Sequence, residues 1–166
     1  MSEPQTEKRD VLQAVTSEVV AEARALAAAQ RHAALATLDP ADGHPVASRV
    51  NIATAADGVP LILVSGLSPH TSALRADPRC SLLVGEVGKG DPIAHPRLTL
   101  RCRAEELPRG SDADLAARAF WRGAHPKSQL YIDLPDFAVM RLVPERVNFV
   151  AGFGRAYAFD GAVYLG

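Results

Sequence analysis

The chain reverses direction too often, over too few residues, to build a parallel sheet. Asp39-Pro40-Ala41-Asp42-Gly43 interrupts the apolar run from His32 to Leu38, and Ala55-Ala56-Asp57-Gly58 follows the run from Val46 to Thr54. Connections this short join antiparallel strands, because a parallel crossover needs a dozen residues or more. Further strands are expected over Leu61 to Val64, Cys80 to Val84, Arg97 to Leu107, Phe137 to Val143 and Arg146 to Val150, with a turn around Pro144. In the run from Arg97, Leu98, Leu100, Cys102 and Ala104 alternate with Thr99, Arg101, Arg103 and Glu105, so one face is buried and the other wet. The last segment, GFGRAYAFDGAVYLG, is expected to add a hairpin around Asp160-Gly161.

Helices punctuate this pattern. Leu12, Val15, Val19, Ala23 and Leu26 recur at helical spacing within Lys8 to Gln30. That helix suits its own domain or a partner subunit equally. Ser111 is placed to cap a second helix, with Asp112 and Asp114 in its first turn and Gly123 near its end. Trp121 reads as the packing anchor of that helix. A short helical segment follows from His125-Pro126 to Tyr131. The fold class is therefore mainly β (α+β), an antiparallel barrel of about six strands with flanking helices. Residues 1–7 are expected to form a flexible tail, and residues 8–166 a single domain.

Chemistry concentrates in LILVSGLSPHTSALRADPRCSLLV, from Leu61 to Val84. It reads as strand, helix, strand. Ser68 is placed as N-cap, Pro69 occupies the first helical position, and Asp77-Pro78 stops the helix. Ser65, Ser68, His70 and Thr71 crowd the helix start. Free backbone N–H groups and the helix dipole favour an anion there, and hydroxyl donors and a cationic His70 imidazole would add to it. The residues suit a phosphate site. They also suit a capped helix that binds nothing.

The totals narrow the function classes. A formal net charge of −1 gives no field for nucleic acid or an anionic membrane, and 5% aromatic residues argue against a base-stacking platform. No apolar run reaches membrane-spanning length, and MSEPQTEKRD is not a signal peptide, so a cytoplasmic protein is expected. Cys80 and Cys102 read as buried free thiols. His32, His44 and His125 lack metal-ligand spacing, and no metal site is expected. The loop from Gly85 to Pro96 is long, and Lys89 reads as its solvated tip.

Taken in order, GHPVASRVNIAT, LILVSGLSPHTSALRADPRCSLLV and GDPIAHPRLTLRCRAEEL resemble the FMN-binding split-barrel family typified by pyridoxamine 5′-phosphate oxidase. The branch with the HugZ-type haem-degrading proteins is the nearest in pattern. The resemblance runs from about His32 to Arg155. It implies a homodimer with FMN at the subunit interface. It also implies that Ser48, Arg49, Val50 and Asn51 run beside the flavin and its phosphate. Ser65, Ser68, His70 and Thr71 would hold the phosphate, and Arg97 would stand where the oxidase has a flavin-contacting glutamine. Arg49 and Arg97 also read as ordinary wet-face and strand-start charges. The family more often has Ser-Arg-Lys at the helix start, and Ser68-Pro69-His70 lacks both fixed cations.

Three functions follow from that resemblance. The first is an FMN-dependent oxidoreductase, in which the flavin carries the electron transfer. It is not a genuine pyridoxamine phosphate oxidase, since the tail lacks the basic substrate-binding segment of that enzyme. The second is haem binding or haem degradation, suggested by the DF…GFGRAY tail, with Met140, Tyr157 and Tyr164 as the only ligand types there. The third is a non-enzymatic binding module. No acid, base or nucleophile is singled out, and neither G-x-S-x-G nor H-E-x-x-H occurs.

Overall fold

The computed structural model describes residues 12–166. The expected tail over residues 1–7, and the expected helix start over residues 8–11, lie outside the described residues. The first helix, α1 (Ser17–Ala29), begins later than the apolar spacing predicts. Thr16 is the reason. Its hydroxyl accepts from the Val19 amide and ends the helix there, leaving Leu12 and Val15 exposed on extended chain. Val19, Ala23 and Ala27 form the buried stripe.

All strands belong to one antiparallel sheet: β1 (His32–Leu38), β2 (Pro45–Asn51), β3 (Ala53–Thr54), β4 (Pro60–Ser65), β5 (Arg79–Val84), β6 (Arg97–Glu106), β7 (Phe137–Val150) and β8 (Ala156–Asp160). The order is β2-β1-β5-β6-β7-β4-β3, with β8 also paired to β7. The architecture is the expected split barrel, built from eight strands rather than six. Two departures raise the count. The strand expected over Val46 to Thr54 breaks at Ile52, which is fully buried. Its amide donates to Arg31 O at 2.9 Å, one step past the His32–Asn51 pair, but its carbonyl lies 2.8 Å from His125 Nε2 and leaves the ladder there. The tail forms one strand and then a short helix, α4 (Gly161–Leu165), in place of a hairpin.

The expected turn at Pro144 is absent, and β7 runs straight through it. Arg101 faces Arg146 while Cys102 faces Pro144, so Glu145 is the extra residue of a bulge. A bulge accommodates a residue that cannot donate to the ladder. It also marks a change of neighbours. Residues Phe137 to Arg141 pair with β4, and Arg146 to Val150 pair with β8.

The main core fills the concave side of the sheet, with Leu35, Ile62, Leu82, Leu98, Leu100 and Phe149 at its centre. The alternation expected in β6 holds, with Leu98, Leu100 and Cys102 turned inward. A smaller cluster forms where α3 (Asp112–Ala124) packs Ala117 and Trp121 against Ala53, Leu61 and Val139. Truncating an aromatic anchor of this kind costs about 3–5 kcal/mol. Between β4 and β5 lies α2 (Pro69–Ala76), bounded by Ser68 and Asp77 as the sequence predicts. No helix among the described residues is long and apolar enough to cross a membrane.

Candidate functional site

The sheet curls so that β2, at one edge, approaches β4 without pairing to it. A cleft of about 340 Å³ opens at this seam. Six of the nine residues singled out in the sequence line it: Arg49, Val50 and Asn51 from β2, Ser65 from the end of β4, and Ser68 and His70 from the start of α2. Its far wall is Leu63, Trp121, Tyr131 and Phe137. The Tyr131 and Phe137 rings pack at 5.1 Å between centroids.

Three expected residues stand elsewhere. The Ser48 hydroxyl turns away from the cleft and is buried without a partner. Thr71 is fully buried, and its hydroxyl donates to Ser65 O at 2.6 Å, so it braces the turn. Arg97 lies off the cleft, donating from Nη1 to Ile93 O at 2.8 Å, and so ties down the loop before β6.

The electrostatics of the helix start differ from those of a strong phosphate site. Ser68 is the N-cap by position, yet its side chain makes no capping bond. Its hydroxyl is therefore available to a ligand. Ser65 is engaged: its hydroxyl donates to Asp136 Oδ2 at 2.8 Å, so that donor is already taken and a negative charge adjoins it. Burial holds the His70 imidazole below its ordinary pKa of 6.5, so the ring is neutral at pH 7. Arg49 is the one cation lining the cleft, and it makes no hydrogen bond or ion pair among the described residues.

Asp136 and Phe137 are the DF that opens the tail resembling the haem branch, and Tyr131 ends the expected helical segment, but none of the three was expected at the site. They sit in the segment after α3, where no periodicity marks them. Three arginines fix that segment. Arg118 is buried and donates to both Asp114 carboxylate oxygens at 2.9 Å, to Phe137 O at 2.9 Å and to Ile132 O. Arg109 donates to Asp133 O at 2.8 Å and to Phe137 O at 2.9 Å. Arg122 pairs with Asp133 at 2.6 Å. The cleft wall is thus a loop held rigid by charge-assisted bonds.

Chemically, the cleft offers an aromatic wall, one free cation, a neutral imidazole and an unengaged hydroxyl. Trp121 is 1% exposed, and its Nε1 has no partner. This set suits a flat, largely apolar ligand with an anionic edge. The haem ligands considered from the tail do not reach it: Met140 (1% exposed), Tyr157 (5%) and Tyr164 (0%) are all core residues.

Comparison with known proteins bears on the ligand. The family model for pyridoxamine 5′-phosphate oxidase matches residues 19–151. The chain is 33% identical over 120 residues to the chloroplastic heme oxygenase HOZ of Arabidopsis thaliana, covering 72% of this chain and 36% of that one. It is 31% identical over 133 residues to the heme oxygenase HutZ of Vibrio cholerae, covering 76% and 73%. A heme binding protein from Mycobacterium smegmatis superposes with a TM-score of 0.82 at 35% identity, over 92% of this chain and 62% of that one. This chain therefore spans about a third of the Arabidopsis protein and under two thirds of the mycobacterial one. These relatives belong to the haem-handling branch that the sequence pattern resembles.

Proposed function

This chain belongs to the pyridoxamine 5′-phosphate oxidase family, and we propose that it is a haem-binding member of it. The observation that carries this reading is the seam cleft: aromatic and apolar on one wall, with a single unpaired cation on the other. A porphyrin needs a flat apolar slot and a partner for its carboxylates, and these residues fit that demand. The names of the curated relatives and of the mycobacterial neighbour support the same ligand.

Each residue has a part in that binding. Tyr131, Phe137 and Leu63 would pack against the ring and exclude water. Arg49 would take a carboxylate in a charge-assisted contact. Asp114 and Arg118 hold the Phe137 backbone, and with it the aromatic wall. Bound haem supplies an iron centre for oxygen chemistry. A second copy of the chain completes the site. The outer face of β2-β1-β5 carries Ala34, Ala47 and Leu83 in solvent, and it continues into Arg49 at the cleft. A flat face of small and apolar residues beside a half-open cleft fits a homodimer with the ligand between subunits.

The FMN reading has one observation of its own. The Ser68 hydroxyl and Arg49 are both free, and together they can take a phosphate. An FMN-dependent oxidoreductase would rest on that contact. The Asp136 carboxylate and the neutral His70 weaken it.

Titration of the purified protein with haemin and, separately, FMN decides between the two. The expected result is saturable haemin uptake with a Soret band, and Arg49→Ala weakening it by about 1.5–3 kcal/mol, the range for hydrogen bonds to charged groups. A protein that purifies yellow, binds FMN tightly and gives no saturable haemin band would replace haem by flavin.

A further inference from the structure

We infer that Cys80 and Cys102 form a site for copper(I), a soft ion that two thiolates suffice to hold, and that this site is separate from the seam cleft. Sequence spacing gives the two cysteines no metal motif; strand register brings them together. They are direct partners across β5 and β6. Residues opposed across an antiparallel pair project to the same side of the sheet, and both cysteines belong to the main core.

The hydrogen-bond parity of the ladder sets their separation. The Ala104 amide donates to Pro78 O at 2.8 Å. The register continues from there through Arg79 with Arg103 to Cys80 with Cys102. Opposed residues alternate between hydrogen-bonded and non-hydrogen-bonded pairs, so the cysteines, two steps on, are again a hydrogen-bonded pair. Cα atoms in such a pair lie about 5.5 Å apart, and the Cβ atoms stay at about the same separation. A disulfide needs Cβ atoms about 3.5–4.5 Å apart, so closing one would distort the ladder. Both cysteines are free. An ion between the sulfurs removes the mismatch, since two metal–thiolate bonds of about 2.3 Å hold the sulfurs about 4.6 Å apart.

The pair also lines a surface hollow. β1 and β5 pair only from Ala34 with Leu83 to Ala36 with Ser81. Beyond that point a hollow of about 210 Å³ is lined by Thr37 and Leu38 of β1 and by both cysteines. It shares no lining residue with the seam cleft. The Cys102 thiol donates to Leu100 O at 3.6 Å, and the Cys80 thiol makes no hydrogen bond among the described residues.

Ligand number selects the ion. Among the described residues, no group of three or more His, Cys, Asp and Glu side chains is arranged to hold a metal, so zinc, which takes four ligands, is not served. Soft thiolates favour copper(I). On binding, each thiol gives its proton to solvent as its sulfur–copper bond forms, and nothing is oxidised or reduced. The product carries one negative charge. Arg79, Arg101 and Glu145 also line the hollow. Arg79 is paired with Asp77 at 2.6 Å and Glu145 with Arg103 at 3.4 Å, whereas Arg101 makes no ion pair among the described residues and is the cation left to offset that charge.

The test is anaerobic titration of the reduced full chain with copper(I) held by bicinchoninate, followed by X-ray absorption of the copper complex. The expected result is one copper(I) per chain, two sulfur ligands with no nitrogen or oxygen at the metal, and at least hundredfold weaker uptake in Cys80→Ser and in Cys102→Ser. Circular dichroism reports whether each variant has folded, and the wild-type absorption spectrum identifies the ligands even where a variant has not. Nitrogen or oxygen ligands at the copper, or unchanged uptake in both folded variants, overturns the site. So does a wild type that takes no copper from the chelator. Quantitative disulfide formation by diamide in the folded, copper-free chain overturns it in favour of a redox pair. Haemin takes no part in these readouts, so the site stands or falls apart from the haem reading.

Discussion

Cys80 and Cys102 are direct partners across β5 and β6, both buried and both free. Burial raises the Cys80 thiol to about 12 and Cys102 well above its ordinary value, so at pH 8 both stay protonated. A disulfide-exchange reagent should therefore find no reactive thiol in the folded protein at pH 8, and two after unfolding in guanidinium. Rapid native reaction would mean that this part of the barrel opens. The burial of these thiols was legible in the sequence because each sits on the apolar side of an alternating strand. Arg49 reads from strand parity as a wet-face charge, and only the family resemblance implies its place beside a ligand. Asp136 was not. It matters through its bond to Ser65, 71 residues away, and nothing in LPDF announces that pairing. Ser68 shows a subtler gap. Its position is that of an N-cap, while its hydroxyl is left free, and position alone does not report where a hydroxyl points.

At the level of elements, two contacts organise the ends of the sheet. Gly161 begins α4 against the bulge in β7, and a Cβ there would lie 1.8 Å from Pro144 O. Backbone sits at that point, so the clash cannot be relieved by a side-chain rotation. Gly161→Ala should cost about 1–3 kcal/mol, read as a lower urea midpoint with an unchanged slope. Arg118 is the other. Removing it leaves Asp114 buried without its partner, and truncations of buried pairs cost about 3–5 kcal/mol. Arg118→Ala should destabilise the fold by that amount and also weaken haemin uptake, since Phe137 loses its anchor. Equal stability in the variant would show that Arg109 and Arg122 suffice. Most elements could be read directly, because β1, β4, β5, β6, α2 and α3 each carry their own breakers and period. The failures came where a long-range contact overrides a local signal. Pro144 reads as a turn, but pairing with β6 on one side, and with β4 and then β8 on the other, carries β7 through it. The apolar spacing before Ser17 reads as helix, but the Thr16 cap ends it.

For the whole molecule, the governing feature is the unpaired seam between β2 and β4. Antiparallel pairing was evident from the short turns, whereas the seam depends on the break at Ile52, whose carbonyl is met by His125 from 73 residues away. The exposed sheet face beside the seam sets the expected assembly. Leu83 is 48% exposed there, opposite Ala34 on β1 and Thr99 on β6. Leu83→Lys should convert a homodimer to monomers in sedimentation velocity while leaving the circular dichroism spectrum unchanged. A wild-type monomer at micromolar concentration would refute that assembly. The chain contains one tryptophan, and it lies in the cleft wall. All indole emission from this protein therefore originates beside the ligand position. A chromophore arriving there drains that excited state by energy transfer, whether it is a porphyrin or a flavin. Occupancy can thus be followed by ultraviolet excitation alone, without a label, and a variant that still binds but no longer dims the emission would locate its ligand outside the seam.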